Sequence, residues 1–158
     1  MSTSTNAAST NKRSNARFNF FMHGPDAMGA MDALEQRIRH SDLDASLIEL
    51  VRIRVSQING CAYCIDKHIS DARDHGVDER RLALLQVWRE TRLFSDRERA
   101  ALAWAEALTN IASGGASDTV WEQVSEGFPP SQLVDLTLVI TTINAWNRFA
   151  IGFRKVPA

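Results

Sequence analysis

Residues 44–76 read DASLIELVRIRVSQINGCAYCIDKHISDARDHG. Leu47, Val51, Val55 and Ile58 recur at helical spacing in the first half. They predict a helix from Ala45 to about Gln57, capped by Asp42 or Asp44 and stopped by Asn59-Gly60. A second helix is expected from about Cys61 to His75, where Gly76 supplies a left-handed end. The same grammar continues on both sides. Upstream, Met28, Met31, Leu34 and Ile38 keep helical spacing up to about His40. Downstream, Asp78 opens a segment containing Leu82, Leu85 and Trp88. Ser95-Asp96-Arg97-Glu98 fits a capping box for a helix through Leu102, Trp104 and Leu108, ending before Ser113-Gly114-Gly115. Ser117 or Asp118 caps a short helix, and Phe128-Pro129-Pro130 precedes a long last one reaching about Phe149. Leu138-Val139-Ile140 tolerates a strand but has no strand–turn–strand partner. The predicted fold is all-α, a single compact helical domain of about six to seven helices.

Length and composition agree with one domain. The chain has 158 residues, 44% of them hydrophobic and 23% charged, enough to bury a core without metals or staples. A net charge of -1 offers no electrostatic case for nucleic acid or an anionic membrane as the main partner. The most apolar run, Leu133–Ile143, is interrupted by Asp135, Thr137, Thr141 and Thr142, so no membrane span is expected. No apolar signal-peptide region is visible at the N-terminus. Residues 1–17 form a polar arm with Lys12, Arg13 and Arg17 and no acids, expected to be flexible; the helical domain spans residues 18–158. Two closely spaced cysteines point to a reducing compartment, hence a cytoplasmic location, and to a reactive or metal-binding role.

Those two cysteines carry the chemistry. On a helix advancing about 100° per residue, Cys61, Cys64 and His68 fall on one stripe. Cysteines three residues apart are within disulfide reach. Asn59-Gly60 puts Cys61 in the first turn, where unpaired amides and the helix dipole favour a thiolate. His68, one turn beyond Cys64, is placed to take or return a proton. An inert buried pair is the plain alternative. Zinc is another, with Cys61, Cys64, His68 and His75 as donors, but His75 lies two turns along the same helix and the four do not converge. No metal is therefore expected. Ile65 stands where haem attachment needs histidine, and the βαβ pattern of a thioredoxin is missing. No flavin or nicotinamide fingerprint appears, so no cofactor is expected. On its own helical wheel, Glu49 lies beside Arg52 and Ser56, opposite the apolar stripe, and reads as a surface acid paired with Arg52. Arg54 falls inside the apolar arc, facing a buried carboxylate, an oligomer interface or water. The four tryptophans favour burial or interfaces, and Trp146 beside Arg148 and Phe149 is a candidate contact surface.

Residues 49–64, from Glu49 to Cys64 with Asn59-Gly60-Cys61-Ala62-Tyr63-Cys64 at their end, resemble the AhpD-type alkylhydroperoxidases of the carboxymuconolactone decarboxylase superfamily. His68, Ala72-Arg73, Trp88-Arg89-Glu90-Thr91, residues 98–106 and Ile143-Asn144-Ala145-Trp146-Asn147-Arg148 extend the likeness to about Phe18–Arg154. The resemblance implies an all-helical homo-oligomer, trimeric or hexameric, that reduces alkyl hydroperoxides with electrons from a dithiol protein or small dithiol. It implies that Cys64 attacks the peroxide, that Cys61 resolves the product to a disulfide, and that Glu49 and His68 relay protons. This assignment replaces the wheel's surface Glu49 and makes Cys64, not the dipole-favoured Cys61, the attacker. One departure is plain: Tyr63 stands where the better-characterised peroxidases have histidine, and tyrosine is a poor base near neutral pH. The rival activities are the superfamily's lactone decarboxylase chemistry and a redox-sensing dithiol module without significant turnover.

Overall fold

The structure, a computed structural model, describes residues 16–157, and all regular structure within them is helical. The order is α1 (Phe20–His23), α2 (Pro25–Arg39), α3 (Ala45–Asn59), α4 (Ala62–Asp74) and α5 (Glu79–Leu84). A 3-10 helix (Leu85–Glu90) then leads to α6 (Asp96–Thr109), α7 (Ile111–Gly114), α8 (Asp118–Gly127) and α9 (Pro130–Gly152). The nine α-helices among the described residues exceed the six to seven expected. Two of them, α1 and α7, are single turns of four residues, too short for periodicity to register. The segment after Asp78 also tightens into the 3-10 helix, where Val87 leaves helical geometry (φ -119°, ψ 29°).

Local signals set most of the ends. Ser95 and Glu98 form the complete capping box, Ser95 Oγ accepting from the Glu98 amide at 3.3 Å and Glu98 Oε2 from the Ser95 amide at 2.8 Å. Ser117 caps α8 and Asp78 caps α5. Asp44 occupies the cap position of α3, although its side chain makes no cap hydrogen bond. Gly60 and Gly76 both adopt the left-handed conformation, at φ 70° and 78°.

Helix α3 is the axis of the molecule. It packs against α4, α6 and α9 and touches the 3-10 helix as well. Leu50, Val51, Ile53 and Val55 are wholly buried along it, each worth about 1.5–3 kcal/mol against exposure. One apolar cluster joins α3, α6, α8 and α9 through Val51, Val55, Trp104, Val124 and Ile140. A second joins the other flank of α3 to α5, the 3-10 helix and α6 through Ile53, Leu82, Leu85, Trp88 and Leu102. A third sets Phe20, Met28 and Met31 against Trp146, Phe149 and Phe153 of α9 and its end. Arg54 meets a carboxylate: its Nε donates to Glu106 Oε1 at 2.8 Å, which also accepts from Trp88 Nε1 at 2.8 Å.

Residues 1–15 of the polar arm lie outside the described residues. Arg17 donates its amide to Phe153 O at 2.9 Å and its guanidinium to Gly152 O at 3.0 Å. No helix among the described residues is long and apolar enough to cross a membrane.

Candidate functional site

The corner between α3 and α4 holds the two sulfurs. The left-handed Gly60 ends α3, and Cys61 follows at once as the N-cap of α4, one position before the first turn expected for it. Its sulfur accepts the Cys64 amide at 3.3 Å, serving one of the orphan donors of the helix start. The sulfurs of Cys61 and Cys64 are bonded to each other, with Cα atoms 5.3 Å apart, so the dithiol is in its oxidised form. Both residues are buried. The corner itself is tied to α9: Asn59 Nδ2 donates to Asn144 Oδ1 at 2.9 Å and Asn147 Oδ1 at 2.8 Å, while Asn147 donates to Ser56 at 3.0 Å.

Glu49 and His68 meet across the α3–α4 contact, His68 Nδ1 lying 2.7 Å from Glu49 Oε2. Arg52 Nη1 donates to the other oxygen, Oε1, at 2.7 Å. The wheel of α3 identifies the Arg52 partner correctly but misplaces the acid at the surface: Glu49 is only 4% exposed. A wheel assumes one solvent face, and α3 has neighbours on every side. Burial pushes the Glu49 carboxyl up, but the His68 hydrogen bond, the charge of His68 and Arg52 together hold it below its ordinary value. An ionised carboxylate only accepts, so Nδ1 must carry the proton it shares with Glu49. Nε2 is then the ring atom free to exchange a proton.

The polar chain continues past these residues. Arg52 also donates to Glu35 Oε2 on α2, and Glu35 Oε1 accepts Trp146 Nε1 from α9 at 2.9 Å. Four helices thus hold one partly buried sequence of groups, Trp146–Glu35–Arg52–Glu49–His68. Beside it opens a cavity of about 970 Å³, onto which Cys64, His68, Glu49, Arg52 and Tyr63 all face. Cys61 is not among its lining residues.

Known proteins share this architecture. Residues 25–107 match the Carboxymuconolactone decarboxylase family. The uncharacterised YdfG of Bacillus subtilis is 41% identical over 136 residues, covering 86% of this chain and 92% of its own length. The chain belongs to the carboxymuconolactone decarboxylase family. Within that family it is of AhpD type, as its structural neighbours indicate. A solved protein of unknown function from Agrobacterium tumefaciens, proposed by its describers to be an antioxidant defence protein AhpD, superposes with a TM-score of 0.88. It is 39% identical, with 91% of this chain and 99% of that one covered. The debrominase Bmp8 shares the fold at a TM-score of 0.78 and 18% identity, covering 87% of this chain and 75% of its own.

In this AhpD-type protein the four sequence-predicted residues converge, Glu49, His68 and Cys64 on the cavity and Cys61 bonded to Cys64. Sequence reasoning missed Glu35 and Trp146 as members of the site. Glu35 carries no local signal, and Trp146, a candidate for either burial or a contact surface, is half-buried and donates to Glu35. Trp121 is the exposed tryptophan, at 49%. The zinc alternative needed Cys61, Cys64, His68 and His75 around one centre, and these four do not form a ligand cluster among the described residues. Glu49, His68 and Asp71 do bring three donor atoms within 4.8 Å of one another. The Arg52 guanidinium already sits against Glu49, a poor neighbour for a second cation. His75 lines the cavity but is not part of that group. Tyr63, in the place of the familiar histidine, also lines the cavity, with Lys155 Nζ 4.6 Å from its ring centre.

Proposed function

We propose that this protein is a thiol peroxidase that reduces alkyl hydroperoxides through a Cys61/Cys64 dithiol–disulfide cycle. The observation that carries the reading is the joint exposure of Cys64 and the Glu49-held imidazole of His68 to one cavity. In the reduced enzyme, His68 Nε2 takes the Cys64 thiol proton. The thiolate attacks the terminal peroxide oxygen, the O–O bond breaks, and the departing alkoxide takes the proton from His68. Cys64 is left as a sulfenic acid and the product is an alcohol. Cys61 then attacks the Cys64 sulfur; its thiol proton leaves with the hydroxyl as water, and the disulfide closes. An external dithiol, small or protein-borne, reopens it by exchange. Glu49 touches neither sulfur nor peroxide in this scheme; it fixes the imidazole tautomer. The N-cap dipole would favour Cys61 as the readier thiolate, but only Cys64 shares the cavity with the base, which supports Cys64 as attacker.

Cys64→Ser is expected to abolish peroxide consumption. Cys61→Ser is expected to consume one equivalent of peroxide and then stop, because no disulfide can form for recycling. Equal single-turnover yields from the wild type and the Cys64 variant would reject this order. A homo-oligomer, trimeric or hexameric, in a cytoplasmic setting belongs to the same reading, and exposed Trp121 and Val134 are apolar surface such an assembly could cover.

A redox-sensing module is the second reading, favoured by the near-complete burial of both cysteines, at 2% and 4% exposure. It predicts slow oxidation with a change of size on gel filtration, against rapid turnover of cumene hydroperoxide for the enzyme. Lactone decarboxylation needs no disulfide cycle, and assay with the dithiol fully alkylated separates it.

A further inference from the structure

The cavity is far larger than a peroxide group requires. At about 970 Å³ it lies at the top of the range usual for small-molecule sites. Its lining residues fall into two chemical groups. One is apolar, with Phe20, Phe21, Met28, Ile48 and Trp146 among its residues. The aromatic members are set in order: the Phe21 and Trp146 rings lie 6.0 Å apart at 25°, and Phe20 stacks on Phe149 at 5.6 Å. Such a wall offers ring faces and edges to a flat apolar body.

The other group is charged, and each of its arginines and lysines has a carboxylate beside it. Arg39 lies 3.6 Å from Asp32, Lys67 is 2.6 Å from Asp71, and Arg52 is held by Glu35 and Glu49. Five carboxylates, Asp32, Glu35, Glu49, Asp71 and Asp74, therefore face three arginines and lysines among the described lining residues. Lys155 is not one of the lining residues; its ammonium sits over the Phe21 and Tyr63 rings, which hold it without neutralising its charge, and the lining imidazoles are those of His68, engaged by Glu49, and exposed His75. An anionic substrate would enter a surplus of like charge and find every arginine and lysine of the lining already paired. Desolvating its carboxylate there goes uncompensated.

We infer that the site takes neutral hydroperoxides with a bulky aromatic body and discriminates against anionic ones. This rests on the peroxidase reading above for the reacting group, but the recognition argument concerns the body of the ligand alone.

Three peroxides test it on the full-length reduced protein: cumene hydroperoxide, its ring-4-carboxylate derivative, and tert-butyl hydroperoxide. The kcat/KM for cumene hydroperoxide is expected to exceed each of the others by about tenfold or more, the loss of one good contact or one charge clash. Asp32→Asn, which releases Arg39, should narrow the ratio of cumene to carboxylate by roughly threefold, as expected for an exposed pair. Calorimetric binding of the unreactive alcohol 2-phenyl-2-propanol and its 4-carboxylate to the oxidised protein gives a readout independent of turnover. Preferential binding of the neutral alcohol with no peroxide consumed would sink the peroxidase reading and uphold this one. Turnover with equal kcat/KM for the neutral and carboxylated peroxides would overturn the inference and leave the peroxidase standing.

Discussion

With 4% of its surface exposed, the Glu49 carboxylate loses most of its hydration, which alone would raise its pKa. His68 and Arg52 reverse that result and hold it below the ordinary carboxylate range. The folded value being the lower one, Glu49 stabilises the fold above a pH of about 4.3. That contribution is lost as the pH falls through the folded value. The same ionisation keeps Nδ1 of His68 protonated and Nε2 available. Glu49→Gln keeps the shape but removes the charge, and kcat/KM for peroxide should drop by about 100-fold. Arg52→Met tests the supporting cation. It leaves buried Glu49 with His68 alone and part-buried Glu35 without its cation, at a cost of about 3 kcal/mol in a urea melt. With Arg52 gone the Glu49 pKa rises, so the acidic limb of the kcat/KM profile should move to higher pH, and Arg52→Lys should restore part of the shift. A destabilised Arg52→Met enzyme with an unmoved limb would show that the Glu49 charge plays no part in the proton relay.

The Gly60 corner between α3 and α4 decides where the sulfurs lie. Gly60 sits at φ 70° with open space around its missing Cβ, so a side chain there would meet strain in the backbone, not a clash. Gly60→Ala should therefore cost about 1–2 kcal/mol by urea denaturation, and Gly60→Asn less, since asparagine visits this region more readily. A cost near zero for alanine would mean that the corner relaxes, and Cys61 with it. Local signals of this kind are the ones legible in the amino-acid sequence. Gly60, Gly76, the Ser95 box and Ser117 act within a few residues of themselves, and each marks a helix end close to where it falls. The dithiol and His68 are legible for the same reason, all three lying on one short stretch of chain. Glu49 reads as a surface residue because its environment is set by His68 of α4 and, through Arg52, by Glu35 of α2, neither of which is visible to the wheel of α3. Glu35 and Trp146 are separated by 111 residues yet hydrogen-bonded, and neither is a partner that periodicity can suggest. The extra single-turn helices escape for want of length.

What holds the molecule together is α3 in its sleeve of α4, α6 and α9, not the crosslink at its end. Cys61 and Cys64 are three residues apart, so their bond closes a loop of only about four residues. The chain-entropy relation then gives the disulfide about 2 kcal/mol at most. The core clusters on both flanks of α3 pass through Val51, Val55, Leu50 and Ile53; Cys61 and Cys64 belong to the first, but α6, α8 and α9 supply most of its other members, so reduction is expected to leave the packing in place. A catalyst that opens and closes this bond on every turnover needs that independence, because a scaffold that loosened on reduction would lose the Glu49–His68 geometry just when Cys64 must attack. Reduction should therefore lower the thermal midpoint by no more than about 4–8 °C for a chain of this size. The elution volume on gel filtration should not change. Calorimetric scans of the oxidised and dithiol-reduced protein, with the two forms run in parallel on a sizing column, measure both. A much larger fall, or a change of oligomeric size on reduction, would mean that the dithiol governs the packing of the whole molecule, and would move the assignment from a peroxidase to a redox sensor.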